Sequence, residues 1–510
     1  MTNRGYRGGN RLVAGAARRL LMPRITVKVG PMDAPGPPLA PDVLERDDLR
    51  RALGEHDFAA AFALIKKWGG LSQNKIAAAC ELTPGKVSNV IAGQHQISSM
   101  VVIRRIADGL RIPGILLGLA PRPWEDQPRD VTPSPEDRRH SEEVPWRPDA
   151  TIGLSDHLTR SDLVMTRRAA ARALSAAAVT GAALLDSLEG WLQPAGADNR
   201  PRRQGRLGAR DLDDLETTAR TFRAWDHRYG GGLRRKAVLG QLNEVASALD
   251  QHQATSIERR LYGVMAQLAG TAATMAWDSG LHRRAQEYYD VALRSAHAAG
   301  DTAFGANVLA GIARQVLYGG HPQDALELVR LAQDGVRTTA GPRLRAMLHT
   351  REAWALAAVG RTAAFRRATA QARDALAHAT TGQDPYWIAY FDEAELAGVT
   401  GGRLLELARR QPHEHAHMAA EEIRMALDQR GPEASRSHAL DWIGLAECHF
   451  LVGDVTGAVE NTHHAVDAAA HTQSGRVRNQ LAQLYPYTVG RDVPGPLREA
   501  RNQIRDLLAT

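Results

Sequence analysis

Apolar residues return every three or four positions along most of this chain, which predicts an all-α protein. The most informative stretch is Leu71 to Gly93, LSQNKIAAACELTPGKVSNVIAG: two short helical patterns separated by a break too short for a loop. Ser72 is a good N-cap, and the helix behind it places Ile76 and Ala79 or Cys80 on one face. Thr83 caps the second helix, and Pro84 takes its first position, where a missing N–H costs nothing. Val87, Val90 and Ile91 form its apolar stripe, and Gly93 ends it. Two helices joined by three or four residues, with small Ala77 and Ala78 available for a close crossing, define a helix-turn-helix.

In such a unit the second helix enters the DNA major groove and the first braces against the backbone. The polar positions suit that use. Gln73 can hold a phosphate through its amide and the free backbone N–H groups beside it. Lys86, Ser88 and Asn89 avoid the Val87/Val90/Ile91 face. Asparagine pairs bidentately with adenine, lysine reaches guanine or phosphate, and serine is permissive. An ordinary helical hairpin would share the spacing, but caps, spacing and polar placement together favour DNA.

From about Asp211 onward the helical pattern is punctuated by glycine and aligns with itself. Four places give a helix end, a glycine turn and a small or apolar marker five residues on. They are Ala276 to Gly280 with Ala285, Leu317 to Gly320 with Ala325, Ala358 to Gly360 with Phe365, and Leu451 to Gly453 with Ala458. The first three glycines are 40 apart and the last lies 93 further on, leaving room for an irregular pair around Tyr386–Arg410 and more helix at His413–Gln429. Such hairpins cannot bury their apolar faces alone, so an α-solenoid is expected over 207–510. One helix of each pair then lines a concave groove. Arg314, Arg351 and Trp354, on first helices near the repeat centre, are the expected lining for a small-molecule or peptide effector. Dimerisation is the other use such repeats would have.

The intervening regions carry less pattern. Residues 1–56 are expected to be disordered: seven basic residues and no acid precede Asp33, and Pro35-Gly36-Pro37-Pro38 blocks regular structure. Three readings stay open for this segment: a flexible basic arm adding phosphate contacts, a start-site extension with Met22 or Met32 as the first residue, or an Arg-rich organelle presequence. Residues 121–150 hold seven prolines among charged residues and are expected to be an extended linker that cannot pack. Residues 151–195 are expected to form a connecting helix that docks on the next domain, chiefly across Thr166–Leu192. Its paired arginines superficially resemble a twin-arginine export signal. That reading fails because Arg172 interrupts the stretch and the uncharged run Ala173–Leu185 is far shorter than the ~20 residues of a membrane span.

Charge sharpens the division. Residues 1–120 carry 17 Lys/Arg against 9 Asp/Glu and the remaining 390 carry 47 against 48, so the whole excess of +7 lies in the N-terminal quarter. That is the distribution of a chain with one end on nucleic acid. A hydrophobic content of 44% with 24% charge fits a soluble protein of the cytoplasm, associated with the nucleoid and not with a membrane. Cys80 and Cys448 lie far apart in helical patterns, against a disulfide scaffold or a cysteine metal site.

One segment raises the question of catalysis. His413-Glu414-His415-Ala416-His417 satisfies His-Glu-x-x-His, in which two histidines one helical turn apart bind zinc and Glu acts as base. Pro412 directly precedes it, so the motif opens a helix, and no third ligand follows at the usual distance, Glu433 being the nearest candidate. An exposed helix start is the expectation here, as it is for His463-His464, and no enzyme, metal or cofactor is expected.

Ser72-Gln73, Ala77, the turn, Val87-Ser88, Ile91 and Gly93 resemble the phage-repressor-like (Cro-type, xenobiotic-response-element) helix-turn-helix family over residues 57–120. Helices at Phe58–Trp68, Ser99–Leu110 and Pro113–Leu119 would complete that family's five-helix domain. The resemblance implies that Gln73 contacts phosphate, that Pro84, Gly85, Ser88 and Asn89 fall where bases are read, and that Gln94 and His95 follow on a phosphate-facing loop. With Ser72, Lys75 and Lys86 these make the expected DNA-facing set. There is one departure. Glu81 stands where the turn usually carries Gly; a left-handed residue other than Gly costs ~1–2 kcal/mol, and its carboxylate faces phosphates.

The second half resembles degenerate tetratricopeptide repeats, longer than the usual ~34 residues. The whole arrangement resembles a group of actinobacterial regulators, to which Phe222-Arg223 through Gly232 and Tyr390 through Leu396 are also similar. This implies transcriptional control. The expected protein is therefore a sequence-specific regulator that binds double-stranded DNA as a homodimer. The alternative is a protein-interaction scaffold with a vestigial helix-turn-helix.

Overall fold

The computed structural model describes residues 39–97, 100–117, 119, 122, 124, 145–165, 173–174, 176–194, 204–229, 235–380, 382–431, 434–472, 474–489 and 494–509. Among these residues the chain is helical throughout, apart from turns and one isolated bridge between Gln204 and His252. None of the described helices is long and apolar enough to cross a membrane.

Seven helices form the N-terminal domain: α1 (Pro41–Leu44), α2 (Asp47–Gly54), α3 (Phe58–Trp68), α4 (Gln73–Ala79), α5 (Pro84–Ile91), α6 (Met100–Leu110) and α7 (Gly114–Leu117). They enclose a core of their own, built on Leu49, Leu53, Phe62, Ile65, Ile76, Val87, Val90 and Ile106. Two of these helices correct the expectation that 1–56 is disordered. Leu49 and Leu53, four apart on α2, are fully buried, while Asp47, Asp48, Arg50 and Arg51 between them face outward. The density of charge hid a one-sided apolar stripe. Residues 1–38, with the basic arm, lie outside the described residues.

Most of 121–150 also lies outside them, but both described ends of this segment are packed, against the expectation of a free linker. Arg122 donates to both Asp108 oxygens at 2.9 Å, and Trp124 Nε1 donates to Asp108 at 2.9 Å. At the other end Trp146 sits under the Arg294 guanidinium, 4.6 Å from its ring centre. Among the described residues the expected connecting helix is interrupted. Helix α8 (Pro148–Leu163) and helix α9 (Ala182–Leu188), which runs into a 3-10 turn at Glu189–Leu192, are separated by a non-helical strap at 176–180. The strap's backbone is held by side chains: Val179 N donates to Gln286 at 2.6 Å and Gly181 N to Asp324 at 2.6 Å. Alanine propensity yields here to these tertiary hydrogen bonds. Residues 166–172, with the paired arginines, lie outside the described residues.

The second half is built of consecutive helix pairs. Helices α10 (Ala209–Tyr229) and α11 (Arg235–Leu249) both pack against α12 (Thr255–Asp278), which pairs with α13 (His282–Ala299); α14 (Thr302–Tyr318) pairs with α15 (Pro322–Gly335), and α16 (Pro342–Ala358) with α17 (Thr362–Ala377). Then come α18 (Glu393–Ala408) with α19 (Pro412–Gln429), α20 (Ser435–Leu451) with α21 (Val455–Ala470), and α22 (Gly475–Leu484) with α23 (Gly495–Ala509). From α12 through α22 each first helix also touches the first helix of the next pair, so these line the inner wall. Gly280, Gly320, Gly360 and Gly453 take φ of +77°, +83°, +78° and +79° in the turns, a conformation that favours glycine. The markers behind them, Ala285, Ala325, Phe365 and Ala458, are buried between the helices of each pair. Helix α10 reaches across to touch α20, which narrows the inner space at one end.

The N-terminal domain sits against the second helices of two pairs. Arg104 Nε of α6 donates to Glu327 of α15 at 2.8 Å, Arg122 lies 3.9 Å from the same carboxylate, and Glu327 is fully buried. Arg367 of α17 pairs with Glu55 at 2.7 Å. His56 links the two parts: its Nε2 donates to Leu117 O at 2.6 Å, and its Nδ1 accepts from Arg330 of α15 at 2.9 Å. Burial, then the neighbouring Arg330 charge, pushes the His56 imidazole down to about 3.

A free histidine takes its proton near ~6.5, so between that value and about 3 the separated state binds a proton that the docked state does not. Docking is therefore full above ~6.5 and weakens as pH falls, by about 1–2 kcal/mol at pH ~5. Hydrogen exchange of α6 and α15 at the two pH values should show this loss, and His56→Asn should flatten it.

Candidate nucleic-acid interface and inner cavity

The chemistry of α4 and α5 begins at their caps. Ser72 Oγ accepts from Lys75 N at 3.3 Å and Thr83 Oγ1 accepts from Lys86 N at 3.2 Å, which satisfies a free N–H at each helix start. Leu82 N donates back to Ala77 O at 2.8 Å and closes the turn. Ile76, Ala77, Cys80, Val87 and Val90 are buried, which fixes the rotation of both helices. The opposite face carries Ser72, Lys75, Pro84, Gly85, Ser88 and Asn89, all exposed, with Gln73 and Lys86 half-buried beside them. Gln94 and His95 are exposed in the loop behind α5, where Gly93 turns at φ +71° and Gln94 N returns to Asn89 O at 2.9 Å. The repeats leave this face uncovered.

Glu81 takes the left-handed conformation at φ +51° without being glycine. Its neighbour was missed in the sequence. Arg105 of α6 donates to Glu81 O at 3.2 Å and its guanidinium lies 3.7 Å from the Glu81 carboxylate. A partner that holds the carbonyl and offsets the carboxylate makes a charged turn residue tolerable here. Gly109 was missed too. A Cβ on it would fall 1.8 Å from Ala79 O, so α6 crosses α4 at backbone contact. A glycine inside a strongly helical pattern was the available signal.

Arg314, Arg351 and Trp354 come together on the inner wall, where they line a cavity of about 750 Å³ with Trp277, Tyr318, Arg403 and Arg476. Arg314 and Arg351 also line a second, inner cavity of about 140 Å³, so they stand at the neck between the two. Trp277, Tyr318 and Trp354 follow one another at centroid distances of 5.3 and 4.8 Å. Arg314 and Arg476 cover the Trp277 ring at 4.6 and 4.7 Å, and Arg403 covers Trp354 at 3.7 Å. The sequence signal was present: Arg314 precedes Tyr318 by four residues and Arg351 precedes Trp354 by three, each pair on one helix face before a turn glycine.

Most charges around the neck are matched. Asp278 accepts from Arg436 at 2.8 Å and Arg476 at 3.1 Å, Glu395 from Arg430 at 2.9 Å, and Glu447 from Arg409 at 2.7 and 2.8 Å. Arg351 is only 5% exposed and, among the described residues, has no hydrogen-bond or ion-pair partner. Arg314 Nε is likewise buried without one. Burial pushes the inner Asp226 carboxyl up to about 6.

At the His-Glu-x-x-His segment the structure corrects one expectation. His413, Glu414 and His417 are exposed at the start of α19, but His415 is buried and neither of its ring nitrogens has a hydrogen-bond partner. Glu433 lies outside the described residues. Among those described, no group of three or more His, Cys, Asp or Glu residues is placed to hold a metal ion. Compared with protein families, with curated proteins and with solved structures, the chain matches none.

Proposed function

We propose that this chain is a sequence-specific DNA-binding regulator of transcription: a Cro-type helix-turn-helix on a tetratricopeptide-like solenoid, acting at the nucleoid. The observation that carries the reading is α5 itself. Thr83 caps it, Val87 and Val90 root it in the core, and Ser88 and Asn89 project from the uncovered face. A rod about 10–12 Å across with one polar face fits the major groove. Pro84 and Gly85 offer few hydrogen bonds to bases, so a single half-site is read weakly. A homodimer spanning half-sites ~34 Å apart supplies the rest, and the cavity of the repeats receives an effector.

Asn89→Ala is expected to relax preference at one base pair by about 1–3 kcal/mol. Lys86→Ala or Gln73→Ala is expected to weaken all sequences alike and to flatten the salt dependence by about one phosphate each. Footprinting on fragments selected by the purified protein measures both effects, and the reverse pattern refutes these roles. Affinity that ignores salt would favour the scaffold reading.

A further inference from the structure

The neck between the two cavities contains a charge imbalance that the chain itself does not relieve. Five arginines, Arg223, Arg314, Arg351, Arg436 and Arg476, line the inner cavity, and three of them, Arg314, Arg351 and Arg476, also line the wide one. Facing them are Asp226 and Glu395, the latter already shared with Arg430, and Asp278 of the wide cavity, which pairs with Arg436 and Arg476. A buried guanidinium without a counter-ion is costly, and chains rarely keep one unless something binds it. Arg351 is nine-tenths buried and faces both cavities without a direct ion pair among the described residues; its charge is offset only at longer range by Glu395, which Arg430 already engages.

The aromatic residues narrow the choice further. Trp277 and Trp354 would suit a cationic ligand if their faces were free, but Arg314, Arg476 and Arg403 already occupy them. Tyr318, between them, is 42% exposed to the wide cavity. The volume of about 750 Å³ lies in the ordinary range for small molecules, roughly 300–1,000 Å³. Contact of α10 with α20 narrows one end of the inner space, which favours a compact ligand over an extended peptide.

We infer that the neck is an anion site. The chain takes a small organic acid, a carboxylate or phosphate ester, that carries a flat ring: the acid group sits on Arg314 and Arg351, and the ring lies beside Tyr318 in the wide cavity. The biological meaning of this ligand rests on the regulator reading, whereas its binding is measured without DNA, so the two fail separately.

Calorimetry on the full chain with indole-3-carboxylate, phenyl phosphate, inorganic phosphate and tryptamine tests it. At least one ring acid is expected to bind about tenfold or more tighter than inorganic phosphate, and tryptamine not at all. Arg351→Gln is expected to lose about tenfold or more and Arg351→Lys to keep part of the affinity. A second measurement separates binding from folding. Because Arg351 is a buried charge with no direct ion pair among the described residues, Arg351→Gln without ligand should melt about 1–3 °C higher than the parent chain. Failure of both ring acids to bind, equal binding of tryptamine or of inorganic phosphate, unchanged affinity in Arg351→Gln, or a lower melting temperature in that variant would each overturn the inference.

Discussion

Replacing Gly109 with alanine is expected to unfold the N-terminal domain at temperatures where the repeats remain intact. The new Cβ would stand 1.8 Å from Ala79 O, 2.6 Å from Ala79 C and 3.2 Å from Cys80 N. All three are backbone atoms, so no side chain can rotate away and α6 must lift from α4. Close-packed interiors resist such shifts, and overpacking costs about 1–3 kcal/mol or more. The usual gain of ~1 kcal/mol from Gly to Ala in a helix offsets only part of that. In a domain of this size about 2 kcal/mol lowers the melting temperature by roughly 8–16 °C. On the regulator reading proposed above, DNA affinity should fall with it, because α4 and α5 share the core that opens. Gly263→Ala on α12, where the added carbon meets nothing within 4 Å, is the matched control and should melt at or above the parent temperature. Calorimetry of the three proteins decides; coincident melting of Gly109→Ala and its parent would mean that α6 and α4 are not in contact.

Glu327→Ala should release the N-terminal domain from the repeats without unfolding either. Glu327 is fully buried and takes Arg104 at 2.8 Å with Arg122 close by. Removing one partner of a buried pair costs about 3–5 kcal/mol, because the charge left behind keeps its desolvation penalty. Arg122 keeps its bidentate bond to Asp108, whereas the Arg104 guanidinium escapes the penalty by undocking into water, so the loss appears as domain separation. Other ties, among them Arg367 with exposed Glu55, Arg104 with exposed Glu189, Arg361 with Leu116 O and Arg330 with His56, do not replace it: an exposed pair is worth about 0–1 kcal/mol. Small-angle scattering should report a larger radius for Glu327→Ala, and denaturant melts should resolve two transitions. A single transition with unchanged radius would assign docking to other contacts.

These two residues also mark where sequence reading stops. Local chemistry was legible: Ser72 and Thr83 cap α4 and α5, α3 begins and ends at Phe58 and Trp68, and Gly280, Gly320, Gly360 and Gly453 turn the helix pairs. Each depends on residues only a few positions apart, so spacing carries the information. Arg314, Arg351 and Trp354 were picked out for lying on first helices, and stacking of those helices brings them to one wall. What escaped depends on long-range meetings. Arg104 and Glu327 are 223 residues apart, and nothing near either announces the other. Helices α1 and α2 were hidden by surface charge, and the break at 176–180 by alanines that favour helix until Gln286 and Asp324 capture the backbone. His415 shows the converse, a polar-looking segment whose middle residue turns inward.

Arg351 and Glu352 are neighbours on α16, so their side chains leave its axis about 100° apart. Arg351 faces the cavity neck, while Glu352 accepts from Gln333 at 3.1 Å and lies 3.5 Å from Arg330, the residue that holds His56. Any roll of this one helix about its own axis would therefore move both ends of a lever, one at the cavity neck and one tied through Arg330 to His56 of the N-terminal domain.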